Sequence, residues 1–127
     1  MILQINNTKL PAEVFSGTES LRRGLMHRKN PLGHSAALFD LGVPSICGFW
    51  MKNTKIPLDI IFVSPELKII KITHSAQPET TNLHYPDSQA KYVIELDGGY
   101  SKKLGLKVGD NIQLPKTKVT LKKPPRK

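Results

Sequence analysis

Apolar and polar positions alternate over short stretches of this chain, with turn-forming residues between them. In Lys91–Leu96, Tyr92, Ile94 and Leu96 fall on one face and Lys91, Val93 and Glu95 on the other, the two-residue period of a strand. Leu58–Val63 and Leu67–Thr73 read as a hairpin around Ser64-Pro65-Glu66. Met1–Ile5 and Lys9–Phe15 flank an Asn6-Asn7 turn, and Ala36–Leu41, Phe49–Asn53, Asn111–Leu114 and Lys118–Leu121 read as further strands.

Helical spacing appears once at length. Ser16-Gly17-Thr18-Glu19 has the pattern of a capping box, which predicts a helix over Thr18–Arg28. At 100° per residue, Leu21, Leu25 and Arg28 fall within about 60° of one another, and Gly24 adjoins that face. Arg28 is therefore expected to point toward the core. Tyr100–Leu106 reads as a second, shorter helix, and residues 75–90, polar with two prolines, as the longest loop. Short strands at this spacing predict a mostly β or α+β fold, a single compact β-barrel-like or sandwich-like domain with one or two short helices.

The 127 residues fit one domain, assigned to residues 1–115, with 116–127 as a basic C-terminal strand and tail. That tail holds six Lys and Arg and no acid, so it supplies most of the net charge of +9. Weak nucleic-acid contact through residues 116–127 is one expected association, because neutralising phosphates releases counterions whatever the sequence. Ile60–Val63, as long as any apolar run in the chain, is strand-sized and far short of the ~20 residues of a membrane helix. The start, MILQINNTKL, lacks the basic and apolar segments of a secretion signal, so a cytoplasmic protein without membrane association is expected.

Cys47 is the only cysteine, which excludes an intrachain disulfide and a zinc-binding pair. Its apolar setting, Ser45–Phe49, predicts a small buried thiol. His27, His34, His74 and His84 show no metal-ligand spacing, and neither a metal nor a cofactor is expected.

Candidate chemistry centres on Phe49–Phe62. Strand alternation would set Trp50 and Lys52 on one face and Phe49, Met51 and Asn53 on the other. Asp59 interrupts an apolar run, and a carboxylate there needs a partner because an isolated buried charge is very costly. Arg28 is the natural partner, since a guanidinium matches a carboxylate in two parallel bonds, and Glu95 is a second carboxylate within reach of the same argument. Two readings stand side by side: a charge network of Arg28, Asp59 and Glu95 that fixes helix against sheet, or a concave site. In the second, Arg23, Arg28, Trp50, Lys52, Asn53, Asp59 and Glu95 bind a ligand, Trp50 giving a flat apolar face and Lys52 and Asn53 donors.

The blocks Arg23–Arg28, Phe49–Thr54, Ile56–Phe62, Lys91–Leu96 and Gly105–Asp110 resemble, in order, the signature of the domain-of-unknown-function family 192. The resemblance spans roughly residues 9–114 and implies a compact β-rich domain with no established activity. Residues His34–Leu41 (HSAALFDL) depart from the Gly-Met-Leu-Phe-Val-Phe-like strand of that family. Many relatives begin with a secretion or lipoprotein signal, which is missing from MILQINNTKL.

The expected function is a non-catalytic small binding module whose polar and aromatic pocket takes a sugar or a small anionic ligand. The alternatives are nucleic-acid or protein association through the basic tail, and a small hydrolase that uses Asp59 and Glu95. The hydrolase requires the two carboxyl groups about 5–10 Å apart.

Overall fold

A computed structural model describes residues 1–115. The tail 116–127, with the expected strand Lys118–Leu121, lies outside the described residues. The fold is mostly β: seven strands and two short helices, in the order β1 (Ile2–Ile5), β2 (Thr8–Ser16), α1 (Thr18–Arg23), β3 (Ala36–Ser45), β4 (Leu58–Val63), β5 (Ile69–Ala76), β6 (Ala90–Asp97), α2 (Tyr100–Lys103) and β7 (Ile112–Gln113). They form one curled sheet, a half-barrel, in the spatial order β5-β4-β6-β3-β2-β1-β7. The pair β2–β3 is parallel, joined by the crossover that carries α1, and the other neighbours are antiparallel. Backbone hydrogen bonds from Ile69 to Asp110, Gly109 to Ile69 and Ile112 to Leu67 tie the start of β5 to the segment entering β7.

Every residue of β4 is buried, because apolar clusters cover both faces of the sheet's middle. Leu58, Ile60 and Phe62 join Phe15, Phe39, Met51 and Val93 on one side; Ile61 and Val63 join Leu3, Leu38, Ile94 and Leu96 on the other. Burial on both faces makes a strand read as a continuous apolar run rather than an alternation.

Three expected elements differ. Helix α1 ends at Arg23, because Gly24 takes φ 47° and ψ −129°, and its N–H bonds back to the Ser20 carbonyl at 2.9 Å. The capping box does not form: Gly17 is the N-cap with no side-chain cap bond, and Glu19 pairs with Arg22 at 2.9 Å instead. With the helix ended, Arg28 leaves the apolar face and bonds Glu13 of β2 at 2.8 Å.

Phe49–Asn53 is not a strand of the sheet. Phe49 forms an isolated antiparallel bridge with His84, through backbone bonds of 2.9 and 2.7 Å, and the Met51 N–H donates to the Thr80 carbonyl at 3.1 Å. The long loop between β5 and β6 therefore straps residues 49–51. On the opposite side, the His27 N–H donates to the Asn53 carbonyl at 2.7 Å, so the turn after α1 is fastened to the same segment.

Candidate functional site

Between α1, the turn after it, β3 and the strapped segment lies a cavity of about 400 Å³. Its wall is chiefly apolar, from Leu21, Leu25, Phe39, Leu41, Phe49 and Leu83. Phe39 and Phe49 meet edge to face at 5.4 Å between ring centres, and Phe15 stacks behind Phe39 at 4.8 Å, so the aromatic wall is braced from the core. Trp50, 41% exposed, stands at the mouth with the Lys52 ammonium 5.1 Å over its ring. Arg22 and Arg23 of α1 add positive charge to the lining, Arg22 being compensated by Glu19.

Glu95 is the acidic group of this cavity. Register fixes where it points: Glu95 lies opposite Ile60 of β4 and Ala37 of β3, both in the cluster that includes Phe39 and Leu25. The residue is 5% exposed, and burial pushes its carboxyl up to about 8 with no hydrogen bond or cation among the described residues to offset it. At neutral pH that carboxyl is therefore mostly protonated.

Asp59 belongs elsewhere. It lies opposite Leu96 in the same ladder, one position from the Ile60–Glu95 pair, and successive residues of a strand point to opposite faces. Its carboxylate accepts backbone N–H bonds from Ser75 at 2.8 Å, Ser101 at 2.9 Å and Gly99 at 3.1 Å. Burial, the largest single influence, raises its pKa, but the Ser101 side chain and these backbone donors together outweigh it and hold the carboxyl below its ordinary range. Asp59 fastens β5 and the start of α2 to β4.

Of the seven expected site residues, the cavity is lined by Arg23, Trp50, Lys52 and Glu95. The other three are placed differently. Arg28 pairs with Glu13, Asn53 serves through its backbone carbonyl at φ 55°, and Asp59 is spent on the opposite face. Arg28 pairs with Glu13 rather than with either carboxyl group, and Asp59 and Glu95 point to opposite faces of the sheet, so the two carboxyl groups share no face. Sequence reasoning missed the apolar wall, Leu83 of the strap above all. Cys47 was expected to be buried, yet it is exposed and lines the cavity.

A second, more open cavity of about 310 Å³ lies between Gly33–His34 and Asp97–Lys103. Asp97 there already accepts the N–H groups of Leu32 and Gly33, both at 2.8 Å. Among the described residues no group of three His, Cys, Asp or Glu is placed to hold a metal ion, and no helix is long and apolar enough to cross a membrane.

With this architecture in view, the chain is a small half-barrel protein of an uncharacterised conserved class. It belongs to domain-of-unknown-function family 192 (DUF192, Uncharacterized ACR), whose model matches residues 1–114. None of the curated proteins compared with it matches. Two solved structures share the fold. A protein of unknown function from Novosphingobium aromaticivorans DSM 12444 is 28% identical with a TM-score of 0.85, covering 89% of this chain and 84% of that one. A protein from Sinorhizobium meliloti 1021 carrying the name "putative transcription regulator" is also 28% identical with a TM-score of 0.85, covering 88% of this chain and 91% of that one.

Proposed function

We propose that this chain is a non-catalytic module that binds a small molecule in the cavity lined by Arg23, Trp50, Lys52 and Glu95. The observation that carries the reading is Glu95: a residue only 5% exposed whose carboxyl group lines the cavity and takes part in no hydrogen bond or ion pair among the described residues. Buried polar groups are nearly always hydrogen-bonded, and each exception calls for a reason. A ligand that bonds this group supplies one. The volume lies in the range of small-molecule sites, and a chiefly apolar wall with a few polar groups is their usual construction. That wall favours a ligand with an apolar body over a free sugar, and the acid favours one whose buried end is not an anion. Anionic character belongs at the mouth, beside Arg23 and Lys52.

Protein-observed NMR with a fragment library against the full chain tests the reading, with Leu21→Arg as the control that fills the cavity. Binding that perturbs residues 21–26 and 47–54 and is lost in the folded control supports it. Absence of binding, or binding that survives Leu21→Arg unchanged, overturns it.

A second reading is nucleic-acid association through residues 116–127. It draws on the six basic residues there and on the name of the Sinorhizobium meliloti neighbour. Such binding falls steeply with salt and disappears when residues 116–127 are deleted; retention by the deleted chain rules the tail out.

A further inference from the structure

The chemistry of the cavity narrows its ligand. A carboxyl group without a partner asks for hydrogen-bond donors, and two kinds of small molecule bring them: neutral alcohols and amides, or ammonium groups. Charge-assisted bonds are about twice as strong as neutral ones, and the difference grows where water is excluded. Glu95 is 5% exposed and pairs with no cation among the described residues, so a positively charged donor gains the most there. The surroundings fit the same cation. Phe39 and Phe49 line the cavity, and aromatic rings attract ammonium groups, while the Trp50 ring at the mouth already carries the Lys52 ammonium 5.1 Å above it.

The remaining charged and titratable groups of the lining are Arg22 and Arg23 on α1, and Cys47 and Lys52 on the strapped segment. Arg22 is neutralised by Glu19, which leaves Arg23 and Lys52 facing the ligand's outer portion. Those cations disfavour a second positive charge on the ligand and leave a neutral or acidic outer end as the compatible one.

Resting on the reading of this cavity as a ligand site, we infer that it selects a small primary amine with an apolar, ring-sized body, its ammonium group seated on the Glu95 carboxylate. Binding then takes the proton off Glu95 and leaves an ion pair against an aromatic wall. Atoms balance simply: the ammonium keeps its protons, and the carboxyl proton passes to solvent.

Three probes of one shape separate this from its alternatives: benzylamine, benzyl alcohol and benzoate, titrated into the full chain and followed by Trp50 fluorescence and calorimetry. Benzylamine is expected to bind about tenfold or more tighter than the other two. Glu95→Gln is expected to remove that preference, because an amide cannot carry the negative charge that pairs with the ammonium group. A second measurement needs no variant: at pH 7 the heat of benzylamine binding should vary with the ionisation enthalpy of the buffer, reporting proton release, and that of benzyl alcohol should not. Equal binding of the three probes, or amine binding that ignores both Glu95→Gln and the buffer, overturns the amine class and leaves the cavity reading standing. Failure of all three probes to bind also overturns it, and the fragment experiment then decides separately whether the cavity binds anything.

Discussion

Asp59 and Glu95 lie one step apart in a single antiparallel ladder, yet they face opposite sides of the sheet: Asp59 opposite Leu96, Glu95 opposite Ile60. The Asp59 carboxylate is saturated by backbone N–H groups, and the Glu95 carboxyl group has no hydrogen-bond or ion-pair partner among the described residues. Two buried acids on one ladder thus differ in their surroundings: Asp59 fastens the fold, and Glu95 lines the proposed ligand cavity.

Asp59→Asn separates the structural job. The amide is nearly the same size, but its NH₂ confronts N–H groups from Ser75, Gly99 and Ser101 that need an acceptor. Hydrogen bonds to a charged group contribute about 1.5–3 kcal/mol each, and an unmade buried bond costs its desolvation as well. We expect a loss of roughly 3 kcal/mol and a fall in Tm of roughly 10 °C, read by thermal denaturation. A variant as stable as the parent would mean that Asp59 does not fasten β5 and α2 to β4.

The same two groups give stability a pH dependence of unusual shape. The folded chain keeps the Glu95 proton up to about pH 8, whereas an unfolded chain releases it near 4.5. Between those values the folded state binds the extra proton, so stability falls as pH rises through the window and is flat above it. Asp59, whose pKa is lowered from 3.8, acts in the opposite sense: its contribution is present above 3.8 and lost as pH falls further. Urea midpoints should therefore be highest near pH 4–5 and decline toward pH 8. Glu95→Gln should flatten that decline and leave the variant more stable than the parent at pH 8. A flat parent profile between pH 5 and 8 would mean that Glu95 is ionised in the folded chain.

Much of the architecture was legible because strands carry their register in the sequence. Alternation in Lys91–Leu96 separated Glu95 from Tyr92, Ile94 and Leu96, and alternation in Leu58–Val63 placed Asp59 with Ile61 and Val63; in the structure Leu58, Ile60, Phe62 and Val93 share one core cluster, and Ile61, Val63, Ile94 and Leu96 the other. What failed were inferences across elements. Helical periodicity continued through Arg28 only on paper, because one glycine at positive φ ended α1 and sent the guanidinium to Glu13. Phe49–Asn53 has the alternation of a strand, but its partners are loop residues Thr80 and His84, which no local pattern announces. The cavity was half visible for the same reason. Its polar residues stand out in a sequence, while its apolar wall looks like any core until the chain folds.

Arg28 and Glu13 are a weak pair despite a 2.8 Å contact. Their side chains are 34% and 52% exposed, and solvent-exposed ion pairs are worth about 0–1 kcal/mol. Arg28→Ala is therefore expected to shift stability by under about 1 kcal/mol, with the double variant Arg28→Ala, Glu13→Ala showing a coupling of the same small size. A loss near that of Asp59→Asn would restore Arg28 as a structural anchor. Unchanged stability with altered benzylamine binding would bring it into the ligand site.

Gly24 offers the sharpest test of how the cavity is made. It ends α1 at φ 47° and ψ −129°, a conformation that side-chain-bearing residues rarely adopt, and it lines the cavity beside Phe39. A methyl group there would sit 3.3 Å from Phe39 Cε2, tight enough to displace the ring. Backbone strain of this kind costs on the order of 1–3 kcal/mol, before any cost of moving the aromatic wall. Gly24→Ala should lower the urea midpoint by that amount and shift the NMR resonances of Phe39 and Phe49 together, since the two rings touch edge to face. Gly33→Ala is the matched control: its φ is also positive, at 67°, but nothing lies within 4 Å of the added methyl, so it should show the strain without the ring shifts. If both variants lose the same stability and neither moves the Phe39 ring, the close approach of α1 to β3 does not shape the cavity, and its aromatic wall is held by the core alone.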